Sequence, residues 1–142
     1  MALHDPSELL EFHLAFAPDA VAAAADVDLS TDIDLSGWRH VIVAAAMGDG
    51  TTAVAITPKT SATDGGTYTD VSGKGIALSA TDDNKGKVVT FEATTVNRYL
   101  QLNVTGTGGT SSDLCIFVIL VGNQYSDQVA DITATLTENG LA

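Results

Sequence analysis

Apolar positions recur with a period of two over most of the chain, the spacing of half-buried strands and not of helices. The first run, Leu10-Glu11-Phe12-His13-Leu14-Ala15-Phe16, places Leu10, Phe12, Leu14 and Phe16 on one face. Asp5-Pro6-Ser7-Glu8 has the Asp cap and first-position Pro of a helix start, so at most one helical turn is expected before that strand. Residues 21–25 have helical propensity, but a segment so short between acidic turn formers cannot hold an isolated helix, and it reads as a connector or one short turn.

From residue 38 onward, strand and turn signals alternate. Residues 38–46 are nearly all apolar or β-branched, Met47-Gly48-Asp49-Gly50 turns, and residues 51–57 extend before Pro58. Asp-Gly between two apolar runs predicts a hairpin. After a turn at Asp64-Gly65-Gly66, weaker strands are expected over 67–71 and 76–80, and Asp82-Asp83-Asn84-Lys85-Gly86 separates them from a strand over 87–93. Tyr99-Leu100-Gln101-Leu102-Asn103-Val104 alternates strictly, as a half-exposed strand does. Leu114-Cys115-Ile116-Phe117-Val118-Ile119-Leu120-Val121 is apolar on both faces, as a central buried strand is. Between these two strands, residues 105–112 are expected to form a flexible, Gly/Thr/Ser-rich hairpin loop that tolerates extension.

About seven to nine such strands, with no long amphipathic helix, predict an all-β fold: a single-domain antiparallel β-sandwich, jelly-roll or immunoglobulin-like, with extended termini. A length of 142 residues suits one core. Residues 1–142 are read as one domain, with an N-terminal arm and first strand over 1–20 and a polar C-terminal tail over 123–142. No repeat with a period of 20–50 residues and no heptad is present.

Composition sharpens the functional reading. With 45% hydrophobic and 17% charged residues the chain is a folded protein and not a disordered one. Eighteen acidic residues against six basic ones give a net charge of −12, which repels phosphate backbones and anionic membranes, so neither nucleic acid nor a membrane is expected as a partner. Asp5, Glu8, Glu11, Asp19, Asp26, Asp28, Asp32 and Asp34 all precede the first basic residue, Arg39. Such an acidic edge suits a basic partner surface or plain solvation. The start of the chain has no basic n-region, and no apolar run reaches the roughly 18 residues of a membrane span. The expectation is synthesis in the cytoplasm and a soluble product, unless an assembled particle carries it out.

Catalytic and metal signatures are absent. His4, His13 and His40 are widely spaced, and no His/Cys cluster of zinc-site spacing occurs. His13 alternates out of its apolar face, toward solvent or an interface, and His40 reads as a hydrogen-bonded core residue. The single Cys115 lies in an apolar run, where it packs as a small hydrophobe and has no intrachain disulfide partner. Neither a G-x-S-x-G elbow nor a phosphate loop is found. Asp82-Asp83-Asn84 lacks the EF-hand spacing and reads as a solvated turn. Paired carboxylates for glycoside hydrolysis are a spatial arrangement that no spacing specifies. Asn103-Val104-Thr105 matches a glycosylation sequon, to which no role is given without a secretion signal. The chain is therefore read as a non-enzyme with no cofactor.

Two stretches carry a resemblance. Asn97-Arg98-Tyr99-Leu100-Gln101-Leu102-Asn103-Val104-Thr105-Gly106, the following loop and the apolar strand ending Val121-Gly122-Asn123-Gln124-Tyr125 resemble small structural proteins of tailed bacteriophages. Asp34-Leu35-Ser36-Gly37-Trp38-Arg39-His40-Val41 and residues 60–66 add to the likeness. The resemblance implies a virion component on the capsid surface: a decoration or cement protein that binds the major capsid protein and is itself a homo-oligomer, with a trimer favoured. The alternative is a tail-tip or fibre-associated module contacting host carbohydrate, which calls for clustered exposed aromatics. Candidate interface residues are Leu9, Leu10, Phe12, His13 and Phe16 in the arm and Tyr125 at the start of the tail. The alternating apolar residues of the arm are expected to pack in the chain's own sandwich, with a neighbour's surface as the other option.

Overall fold

The computed structural model describes residues 10–29 and 32–122, so the expectations placed on Leu9, on Tyr125, on His4 and on the tail lie outside the described residues. Ten strands occur among them: β1 (Leu10–Ala22), β2 (Asp26–Asp28), β3 (Ile33–Asp34), β4 (His40–Gly50), β5 (Ala53–Ser61), β6 (Thr69–Asp70), β7 (Ile76–Leu78), β8 (Lys85–Glu92), β9 (Tyr99–Thr107) and β10 (Ser111–Val121). Among the described residues, a 3-10 turn, Ala93–Thr95, follows β8.

The strands form two antiparallel sheets. The first has the order β1-β10-β4-β8. In the second, β5 and β9 pair along their length, β2 and β3 lie end to end beside β9, and β6 and β7 lie end to end beside β5. Each broken edge counts as one position, so each sheet has four. The chain changes sheet at every connection except the one from β5 to β6 and β7. That order is the jelly roll, which decides between the two sandwich types the strand pattern allowed.

Inward residues alternate as the pattern requires. Leu114, Ile116, Val118 and Leu120 of β10 and Val41, Val43, Ala45 and Met47 of β4 face Leu100, Leu102 and Val104 of β9 and Val54 and Ile56 of β5. All are buried, and Leu35, Phe91 and the half-buried Trp38 close the core at one end. Strand β5 runs through Pro58, where the sequence suggested a stop. The Pro58 carbonyl accepts the Val71 N–H at 2.8 Å, so its donor-less nitrogen points to the side where the edge is interrupted between β6 and β7. No ladder bond is forfeited there.

Neither expected hairpin forms. β4 and β5 belong to different sheets, as do β9 and β10, so residues 51–52 and 108–110 are inter-sheet corners. The two corners interlock. Buried Thr52 donates its N–H to Ser112 Oγ at 2.9 Å, and that hydroxyl donates to the Thr52 carbonyl at 2.8 Å. Thr52 Oγ1 donates to the Gly108 carbonyl, and the Thr110 N–H donates to Thr51 Oγ1, each at 2.9 Å. A segment that looked like a flexible loop is thereby pinned. Residues 21–25 make the short turn expected of them, except that β1 continues through Ala22: the Ala25 N–H donates to the Ala22 carbonyl at 3.1 Å, and Ala24 takes a positive φ of 62°.

Candidate functional site

The outward residues of the two sheets differ in chemistry. In a sandwich, each strand normally alternates an apolar inner residue with a polar outer one. The second sheet does this. Its outer surface carries Asp26 and Asp28 beside Asn103, Lys59 beside Asp70, and Asp34 beside Tyr99. The Asn103 amide donates to Asp26 Oδ1 and Asp28 Oδ1, both at 2.9 Å. The hydrogen bond from Asn103, together with nearby Lys59, holds the Asp28 carboxyl below its ordinary range. With both amide hydrogens engaged and the residue buried, Asn103 is not presented as a glycosylation acceptor.

Arg98 Nε and Nη2 donate to the two oxygens of Asp34 at 2.9 and 2.7 Å. This fork depresses the Asp34 carboxyl far below the usual carboxylate range, helped by the Ser36 N–H. A depressed folded-state pKa means the pair stabilises the fold above the unfolded-state value of about 3.9 and that this contribution fades as pH falls further. Both partners are about half exposed, so screening keeps the effect modest. In thermal melts, Asp34→Asn is expected to flatten the loss of stability between about pH 4 and pH 2. An unchanged slope would show that the pair contributes nothing.

The first sheet breaks the alternation rule. Its outer face presents Leu10, Phe12 and Leu14 from β1, Phe117, Ile119 and Val121 from β10, Ile42, Ala44 and Ala46 from β4, and Val88 from β8. Phe12 is 66% exposed, Leu14 54% and Phe117 44%. Ile42 and Val121 are buried among Leu10, Val88 and Ile119, which gives this outer side a small apolar cluster of its own. A hollow of about 120 Å³ lies next to Phe117, lined by Ala44, Ala46, Gly86, Lys87 and Val88. The small side chains of Ala44, Ala46 and Gly86 create it. The largest apolar patch on a protein surface is often functional.

The arm residues divide between the two sides. Phe12 and Leu14 do not pack in the chain's own core, contrary to the alternating pattern's expectation. Register shifts between Leu14 and Phe16 and between Phe16 and Asp19 move β1 across the pleat, so that Phe16, with Ala15, packs inward while Leu10, Phe12 and Leu14 stay outside. One inserted residue exchanges the faces of everything that follows it. His13 is half-buried opposite Val118, with Glu11 Oε1 against its Nε2 in a contact too poorly aligned for a hydrogen bond. His40 corrects another expectation. It lies on the outer side at one end of the apolar face, and its buried Nε2 has no hydrogen-bond partner among the described residues.

Cys115 is half-buried on the same outer side as Phe117, and loss of hydration raises its thiol pKa. Asp82 is engaged by the Ser79 N–H at 2.8 Å and by Lys85 at 3.3 Å, which hold its carboxyl below the ordinary range in a self-contained turn. At one end of the second sheet, the neighbouring carboxyl of Asp32 raises that of Asp64, and burial together with Asp32 pushes the Tyr68 hydroxyl up to about 12. Among the described residues, no group of three or more His, Cys, Asp or Glu side chains is placed to hold a metal ion. The run Leu114 to Val121, apolar on both sides, was expected to be a buried central strand; it is central in its sheet, but Phe117 on its outer side is 44% exposed. The hollow had no sequence signal, because it arises from cross-strand neighbours.

No protein-family model and no curated protein sequence matches the chain. Among solved structures, the chain is similar to the PBSX exported protein XepA, with a TM-score of 0.60 at 10% identity over 86% of this chain and 40% of that one. It is also similar to infectious bursal disease virus VP2 in its subviral particle, with a TM-score of 0.51 at 9% identity over 82% of this chain and 33% of that one. The chain thus spans less than half the length of either. At such identities the likeness is one of fold, an antiparallel β-sandwich.

Proposed function

We propose that the chain is a virion structural protein of a tailed phage, a capsid decoration protein that binds the major capsid protein on the outer surface of the head. It acts by binding and not by catalysis, and it works as a homo-oligomer. The observation that carries this reading is the apolar outer face of the first sheet on a rigid jelly roll. A sandwich with one largely apolar face and one acidic face is suited to multivalent assembly, in which several weak contacts add through avidity. The likeness in fold to infectious bursal disease virus VP2, which forms a subviral particle, and to the PBSX exported protein XepA is compatible with that use. The acidic second sheet would suit a basic patch on the shell, where charge complementarity sets orientation and association rate.

Co-sedimentation with purified phage heads tests the reading. Binding is expected to saturate at a fixed number of copies per shell and to raise the temperature at which the shells rupture. Absence of binding to heads, with binding to tails or to host glycans instead, would overturn it.

A further inference from the structure

We propose that the outer face of the first sheet is the surface on which a second copy of this chain sits. The inference rests on the homo-oligomeric part of the function proposed above and does not need the shell contact.

Charge selects the occupant. With a net charge of −12, two copies repel each other at most orientations. Across the first sheet's outer face the rows carry no carboxylate between Glu92 at one end and Asp113 at the other, and Glu92 has Arg39 3.9 Å away. The carboxylates of Asp26, Asp28, Asp34 and Asp70 belong to the opposite sheet. Two copies meeting through their first sheets hold these acids apart, with a sandwich's thickness on either side of the contact. A basic partner gains nothing from this neutral face and is drawn to the second sheet.

Shape points the same way. A contact between identical chains requires a surface that supplies both halves of the fit. This face has a projecting ring, Phe117, and beside it the hollow floored by Ala44, Ala46 and Gly86. Four strands at a spacing of about 4.8 Å and a rise of about 3.4 Å per residue give a face of roughly 300 Å². A stable interface buries about 800 Å² per partner around a smaller apolar centre, so the face provides the centre and polar neighbours provide the rim.

The test is the mass of the full chain by light scattering over a dilution series, for the wild type, Phe117→Glu and Leu14→Gln. Both side chains point away from the core, so the melting transition of the monomer should survive in at least one variant. The wild type is expected to be oligomeric, and each folded variant is expected to weaken self-association about tenfold or more, shifting the mass toward one chain. A wild type that is monomeric at every concentration, its face covered by its own terminal residues or by another partner, would overturn the inference. So would folded variants that keep the wild-type mass. Head binding is measured in parallel. If a variant loses shell binding while its mass is unchanged, the face belongs to the shell and only this inference fails. If the wild type assembles but binds no heads, this inference stands and the virion reading fails.

Discussion

Replacing Gly109 with alanine is expected to destabilise the sandwich by about 3–5 kcal/mol, near the upper limit for a single substitution. Gly109 has a φ of +65°, and a Cβ there would fall on the backbone carbonyl of Thr51. Thr51 cannot yield, because its N–H is bound to the Ser111 carbonyl at 2.9 Å and its hydroxyl accepts the Thr110 N–H. Moving it would also strain the buried Thr52–Ser112 pair, whose loss leaves a buried donor unsatisfied. The neighbouring Gly108 is a matched control, with a φ of +71° but nothing within 4 Å of a Cβ. Gly108→Ala should cost only the left-handed strain, about 1–2 kcal/mol. Urea denaturation of both variants separates strain from collision. Equal costs would mean that the two corners do not interlock as described.

A second large effect is expected in the middle of β10. Ile116 is 0% exposed on a strand held between β1 and β4, so the cavity left by Ile116→Ala cannot easily collapse, and a loss of about 2–5 kcal/mol follows. The adjacent Phe117 points the other way. Phe117→Ala should leave the stability of the monomer within about 1 kcal/mol, provided unfolding is followed below the concentration at which copies associate. The pair reads the strand's alternation directly. A Phe117→Ala cost as large as that of Ile116→Ala would place the ring in a core and not on a surface.

Much of the fold was legible in the sequence because it depends on period-two alternation. The strands near β4, β8, β9 and β10 lie close to where their apolar runs place them. Pairing was not legible, since Asp49-Gly50 and the Gly-rich segment at 106–109 have hairpin chemistry but serve corners that change sheet. What decides between hairpin and corner is whether a glycine lacks a Cβ for the sake of its own turn or for the sake of an approaching chain. Gly106 illustrates the second case, because a Cβ there would meet the Ala22 carbonyl across the sandwich. Nor could the arm's alternation say which face is buried. Leu10, Phe12 and Leu14 share a side as the pattern requires, but that side is the outer one, and a register shift before Phe16 turns only the later residue inward. The site was therefore half visible: its residue types could be named, while their exposure required knowledge of which strands flank them.

The most direct test of the proposed role is an electron cryomicroscopy density map of tailed-phage virions assembled in the presence of this chain. The expected result is jelly-roll density on the outside of the head shell, with copies grouped so that the face bearing Phe117 is turned toward a neighbouring copy. Density for this chain at the tail tip alone, or its absence from the head, would contradict the account.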